Sequence, residues 1–265
     1  MPVHVADDGC RIHCQLDGNG PPCLLIPGLG GEAGFWQGVA STLENDYRLI
    51  RIDHRGAGAS DRPTGGYSIP RIMRDVLGVL DDLHIPRAHV VGHSTGGMIA
   101  QTLAVEAPER VAGLVLSGTW ERVDTRFTRL FQARLALLEQ AGPVAYHKLT
   151  QALGHDAGWI ETNRAALDAE LEQAEARLQP IAVQAARIRM LMEHDVFDRL
   201  GRITAPTLVI GGSDDALIPF ASSERLAAAI PGARLAALPG GHFFPKAYPA
   251  PYAALLAGFL KEIDI

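Results

Sequence analysis

Gly92-His93-Ser94-Thr95-Gly96-Gly97 sets a serine with a glycine two residues to either side. An apolar run at 88–91 precedes it and helix-compatible sequence follows, so Ser94 stands at a strand-to-helix turn. A serine so placed is lifted above the end of a sheet on a strained backbone. Glycine at 92 and 96 removes Cβ atoms that would clash where the chain doubles back. The following helix would aim its first amides and its positive dipole end at a bound group. Serine is a poor nucleophile until a base takes its proton and a carboxylate orients that base. Both partners occur further on, each after an apolar, strand-like run. Gly211-Gly212-Ser213-Asp214-Asp215-Ala216-Leu217-Ile218-Pro219 offers an acid, and Gly240-Gly241-His242 an imidazole. Asp215, three after Gly212 and four before Pro219, has the spacing expected of the orienting acid, with Asp214 as the alternative. The chemistry these residue types permit is nucleophilic acyl transfer.

Such loops need a scaffold that brings strand ends together. Residues 3–6 and 11–16 flank Asp7-Asp8-Gly9, a hairpin signal. Short buried-type strands are expected at 23–26, 48–52, 88–92 and 111–116, with helices at 35–43, 69–83 and 98–105. In 69–83 the apolar residues recur at helical spacing. Apolar runs alternating with helices imply a parallel sheet covered on both faces. From 121 to 200 no strand is expected, only helical sequence such as 127–140 and 165–178. The alternation resumes with strands at 206–210 and 233–238 and helices at 222–230 and 248–262. One α/β domain, 1–120 and 201–265, therefore carries a helical insertion at 121–200.

Composition narrows the partners. The 265 residues are 47% hydrophobic and 20% charged, ordinary for a globular chain and unlike a disordered one. With 24 Lys+Arg against 30 Asp+Glu the net charge is −6, which argues against nucleic acid. No apolar run reaches the ~20 residues of a membrane span, and the first residues lack the basic flank and apolar stretch of a signal peptide. The expected address is the cytoplasm. Cys10, Cys14 and Cys23 form no disulfide framework and read as small buried residues. The histidines show no metal-ligand spacing. Gly28-Leu29-Gly30-Gly31 lacks both the G-x-G-x-x-G pattern and the lysine of a nucleotide loop. No metal or cofactor is expected, and the oligomeric state leaves no trace.

Over essentially its full length the chain resembles the α/β-hydrolase superfamily, whose chain order is likewise Ser, Asp, His. Pro27-Gly28-Leu29-Gly30-Gly31 resembles that family's oxyanion loop, with Pro27 where a histidine is common. Asp53-His54-Arg55-Gly56-Ala57-Gly58-Ala59-Ser60 resembles its D-x-R-G-x-G-x-S segment. The resemblance implies a mostly parallel eight-stranded sheet with helices on both faces and a helical cap inserted after the sixth strand. It also implies an oxyanion hole from the main-chain amides of Leu29 and Thr95, each donor worth ~3–4 kcal/mol of transition-state stabilisation. Within the superfamily, Trp120, Arg122, Arg129, Phe131, Gln132 and Arg134 resemble the pattern of aminoacrylate hydrolases. Small capped enol-lactonases are a second likeness.

The expected activity is hydrolysis of a small ester, lactone or activated amide or carbamate through an acyl-enzyme. The same triad would also serve a carbon–carbon bond hydrolase, a perhydrolase, a hydroxynitrile lyase or a slow-turnover receptor. A serine at position 94 excludes the haloalkane dehalogenase and epoxide hydrolase branches, which need a carboxylate there. Phe35, Trp36, Trp120, Phe243 and Phe244 flank the motif loops and are candidates to line an acyl pocket. Arg122 and Arg129 are candidates to clamp a substrate carboxylate. His93 reads as a packed structural histidine.

Overall fold

The hairpin around Asp7-Asp8-Gly9 forms: β1 (Val3–Val5) runs antiparallel to β2 (Arg11–Asp17), with Val3 opposite His13. The computed structural model describes residues 3–178 and 180–264. Six more strands follow, β3 (Pro22–Ile26), β4 (Arg48–Ile52), β5 (Ala88–His93), β6 (Val111–Ser117), β7 (Thr207–Gly212) and β8 (Arg234–Leu238). Their order in the sheet is β1-β2-β4-β3-β5-β6-β7-β8, and all pairings from β4 to β8 are parallel. The eight-stranded, mostly parallel sheet expected above is the one observed.

Because strand side chains alternate faces, each central strand feeds two cores. Leu24, Ile26, Val90, Leu114 and Leu116 join one apolar cluster. Its helices are α2 (Ile69–Asp82), α3 (Thr95–Glu106) and α8 (Phe220–Ala229). Cys23, Leu25, Val91 and Val115 join the other, with α1 (Gln37–Leu43) and α10 (Pro249–Leu260). All three cysteines are buried, and burial pushes the Cys23 thiol up to about 12. Phe244 and Pro245 of the short α9 (Phe244–Ala247) are buried as well.

Between β6 and β7 run α4 (Thr125–Gly154), α5 (Ala157–Thr162), α6 (Arg164–Arg177) and α7 (Ile181–Arg189). The helix expected at 127–140 is longer than its pattern indicated. Gly142 breaks it with φ 82°, and Pro143 follows. The helix then resumes to Gly154, because proline is tolerated in the first turn of a helical segment. Phe127, Phe131, Leu138, Tyr146 and Ile188 from these helices extend the first apolar cluster.

The topology places the site. From β3 the chain moves to β4 on one side, then crosses over to β5 on the other side of β3. The loops leaving β3 and β5 therefore diverge at neighbouring strand ends and open a crevice, where open α/β sheets bind ligands.

Candidate active site

Ser94 follows β5 directly and caps α3, and its backbone sits at φ 53°, ψ −118°. A non-glycine residue held there is strained, and the neighbours that hold it are glycines for a visible reason. A Cβ at Gly92 would strike the backbone of Gly96, and one at Gly96 would strike the carbonyls of Ile26 and Pro27. Ser94 Oγ lies 2.9 Å from His242 Nε2, and His242 Nδ1 lies 2.7 Å from Asp215 Oδ2. The other carboxylate oxygen of Asp215 accepts from the amides of Leu217 (2.9 Å) and Ile218 (2.7 Å). Asp214 instead accepts from the Ser213 hydroxyl at 2.7 Å on an exposed turn. A carboxylate only accepts, so the imidazole proton sits on Nδ1 and Nε2 is left to accept from Ser94.

The loop after β3 is braced from beneath. Asp53 at the end of β4 accepts from the amides of Ala33 (2.6 Å) and Ala59 (2.9 Å) and is bonded to His13 at 2.8 Å. The His54 amide donates to the Gly31 carbonyl at 2.8 Å. A Cβ at Gly58 would overlap the Asp53 carboxylate, so the glycine of this segment is a packing requirement. Arg55, fully buried, bridges Asp75 and Asp8, and that bond holds the Asp8 carboxyl down at about 2. Pro27, Gly28 and Leu29 thereby meet Ser94 and Thr95 at the wall of one cavity.

That cavity measures about 370 Å³. Phe35 and Phe243 line it, as does His93, stacked on Phe35 at 4.9 Å between ring centroids. Five other expected contacts lie elsewhere, which corrects the pocket read from the sequence; one is Phe244, fully buried in the core against Tyr252. Trp36 is fully buried in the core behind the sheet, packed against Tyr252. Trp120 turns into the apolar cluster against Phe127, 4.5 Å between centroids. Arg122 lies over the Phe197 ring at 3.8 Å, and Arg129 is exposed to solvent. Flanking a motif loop places the backbone near the site, but which way a ring turns is decided by the apolar space behind it. Phe131 and Arg134 do line the cavity, joined by His155, Glu170, Arg187 and Lys246. His155, Glu170 and Arg187 come from segments whose sequence carried no site signal, and Lys246 lies four residues beyond His242.

Burial has a measurable consequence. His54 is pushed down to about 3 by desolvation, aided by Arg187, and His89 and His155 to about 4. His93 is held well below its ordinary value by burial and by His242. All four are neutral in the folded chain near pH 7. On unfolding each returns to about 6.5, so below that pH the unfolded chain binds protons the folded one excludes. Stability is complete above pH ~6.5 and falls with acidification towards pH ~4, by about 1.4 kcal/mol per pH unit for each such histidine. The urea midpoint is therefore expected to be lower at pH 5 than at pH 7 at unchanged slope. Equal midpoints would contradict this account. Among the described residues, no group of three or more His, Cys, Asp or Glu is gathered as metal ligands. No described helix is long and apolar enough to cross a membrane.

The sequence model of the alpha/beta hydrolase fold family matches residues 21–246, most of the chain. The chain belongs to the alpha/beta hydrolase family. This alpha/beta hydrolase is 39% identical over 267 residues to a protein of Variovorax paradoxus (strain S110) whose name assigns it as a carbamate hydrolase, RutD. That match covers 100% of this chain and 98% of the relative. A relative from Azorhizobium caulinodans with the same name is 37% identical, covering 96% of each chain. Among solved structures, the enol-lactonase of Burkholderia xenovorans LB400 matches with a TM-score of 0.90 at 26% identity. The match covers 98% of this chain and 100% of the enol-lactonase.

Proposed function

We propose that this hydrolase cleaves a small ester, lactone or carbamate-like substrate through an acyl-enzyme formed on Ser94. The observation that carries the reading is the unbroken hydrogen-bonded series from Ser94 Oγ through His242 to Asp215 at 2.9 and 2.7 Å. In the reading, His242 takes the Ser94 proton as Oγ attacks the carbonyl. The oxyanion forms against the amides of Leu29 and Thr95, and His242 returns the proton to the leaving group. Water, deprotonated by the same imidazole, then releases the acid. Asp215 remains a carboxylate and holds the imidazole orientation. The names of the relatives, a carbamate hydrolase and an enol-lactonase, support an acyl carbon bonded to oxygen or nitrogen.

The helices between β6 and β7 act as a cap over the site, limiting substrate size and excluding water. Hydrogen bonds already tie them to the core beneath. The Phe243 amide donates to the Gly154 carbonyl at 2.7 Å, and Tyr248 donates to Asp156 at 3.0 Å. The reaction needs no cofactor, and the partner is a small molecule in the cytoplasm. A series of p-nitrophenyl esters of increasing acyl length tests the reading. Turnover is expected for short acyl groups and to fall steeply with length as a closed cavity fills. Rates independent of chain length would sink the capped-pocket reading.

A further inference from the structure

Arg187, on α7, is 2% exposed and lines the cavity. Its guanidinium carries five N–H donors and a full charge, yet it pairs with no carboxylate among the described residues. Nη1 donates to the Gln184 side chain at 3.0 Å and Nη2 to the Leu29 carbonyl at 2.6 Å, both neutral acceptors. Nε is buried with no partner among the described residues. The room for it was made deliberately by small residues. A Cβ at Gly31 would overlap Nη2, and one at Gly56 would come within 2.9 Å of Cδ.

Removing a cation from water without a counter-ion is expensive, and folded chains seldom tolerate it unless something else supplies the charge. Desolvation lowers Arg187 only to about 10, so it stays protonated at neutral pH. The carboxylates on the cavity wall make their ion pairs with other cations, and Glu32 acts on Arg187 only without contact. Glu32 is bonded to Arg177, and Glu170 is bonded to Lys246 at 2.8 Å. A second buried arginine, Arg134, also lacks a carboxylate, but it donates to Tyr146 and Thr150 and lies about 5 Å from the Phe131 and Tyr146 rings. Arg187 has two neutral acceptors as well, and the Nε of both arginines is unpartnered, but among the described residues no aromatic ring lies over the Arg187 guanidinium. It also sits against Leu29, whose amide the proposed reaction uses for the oxyanion.

We propose that Arg187 is the specificity-determining residue of this site and receives a carboxylate of the substrate, which is therefore an acid as well as an ester, lactone or carbamate. The proposal rests on the serine hydrolase reading for the reaction but not for the binding. Arg187 would supply charge-assisted hydrogen bonds that a neutral group of the same shape cannot replace.

Monomethyl succinate and methyl levulinate form a suitable pair, since one carries a carboxylate where the other carries an acetyl group. For the wild-type enzyme, kcat/KM is expected to favour monomethyl succinate by about tenfold or more, as a charged hydrogen bond in a desolvated site would give. In Arg187→Gln that ratio is expected to fall towards one, and Arg187→Lys is expected to keep more of it. The ratio cancels any general loss from disturbing the Leu29 loop, which would slow both esters alike. Calorimetric titration of Ser94→Ala with the same two esters reads binding without turnover and does not require Arg187→Gln to fold. Tighter binding of the anion by about tenfold is expected there. Cleavage of both esters with equal efficiency, or a ratio unchanged in Arg187→Gln, would overturn the proposal while leaving the hydrolase reading intact. Anion-selective binding with neither ester cleaved by wild type would uphold the anion site and count against the hydrolase reading.

Discussion

Ser94→Ala is expected to lower kcat by about 10⁴-fold or more while the thermal midpoint stays close to that of wild type. The size follows from what is removed. Oγ is the atom 2.9 Å from His242 Nε2, and without it neither acyl transfer nor the proton path has a starting point. What survives is rate enhancement from substrate binding and oxyanion donors, which act on attack by water instead. Alanine at 94 still has to adopt φ 53°, a strain the serine already bears, so little change in stability is expected. Ester turnover against the no-enzyme rate is the measurement. Activity above about one hundredth of wild type would place the nucleophile elsewhere.

Asp215→Asn is expected to cost about 10³–10⁴-fold in kcat with the fold intact. The geometry dictates how. Oδ1 of Asp215 accepts two main-chain amides, from Leu217 and Ile218, so the oxygen of an asparagine amide is held at that position. The NH₂ then replaces Oδ2 beside His242 Nδ1 and donates to it. Nδ1 must accept, the imidazole proton moves to Nε2, and Nε2 no longer accepts the Ser94 proton. Asp214→Asn, at the adjacent residue but exposed and bonded to Ser213, is expected to stay within about threefold of wild type, as surface changes usually do. Steady-state kinetics of the two variants side by side would check this. A loss under tenfold in Asp215→Asn would mean that the acid does not set the tautomer.

The sheet, the chain order of serine, acid and imidazole, and the glycines around them were all legible in the residues alone. Those features are local: a buried parallel strand needs an unbroken apolar run, and a strand-to-helix turn needs glycines at fixed offsets. Cys23 and Leu25 feed one core while Leu24 and Ile26 feed the other, as alternation alone requires. Asp53-His54-Arg55 was legible as a motif, but its work was not. That Asp53 braces the Ala33 amide is a contact across 20 residues of sequence.

Which side chains face the cavity depends instead on how distant elements pack. Trp36 and Phe35 are neighbours, yet the first is buried behind the sheet and the second lines the site. Arg187 and Arg189 differ in nothing a composition or a period could detect. Arg189 is about half exposed and pairs with Glu139, whereas Arg187 is turned into the cavity without a counter-ion. Two residues along a helix rotate a side chain by about 200°, and which of the two faces inward depends on how α7 seats against the loop after β3. That seating is a sum of distant contacts, among them the Arg187 bond to Leu29 across 158 residues. The chemistry of the site is therefore written in short motifs, and its selectivity is written in the packing of the helices above it.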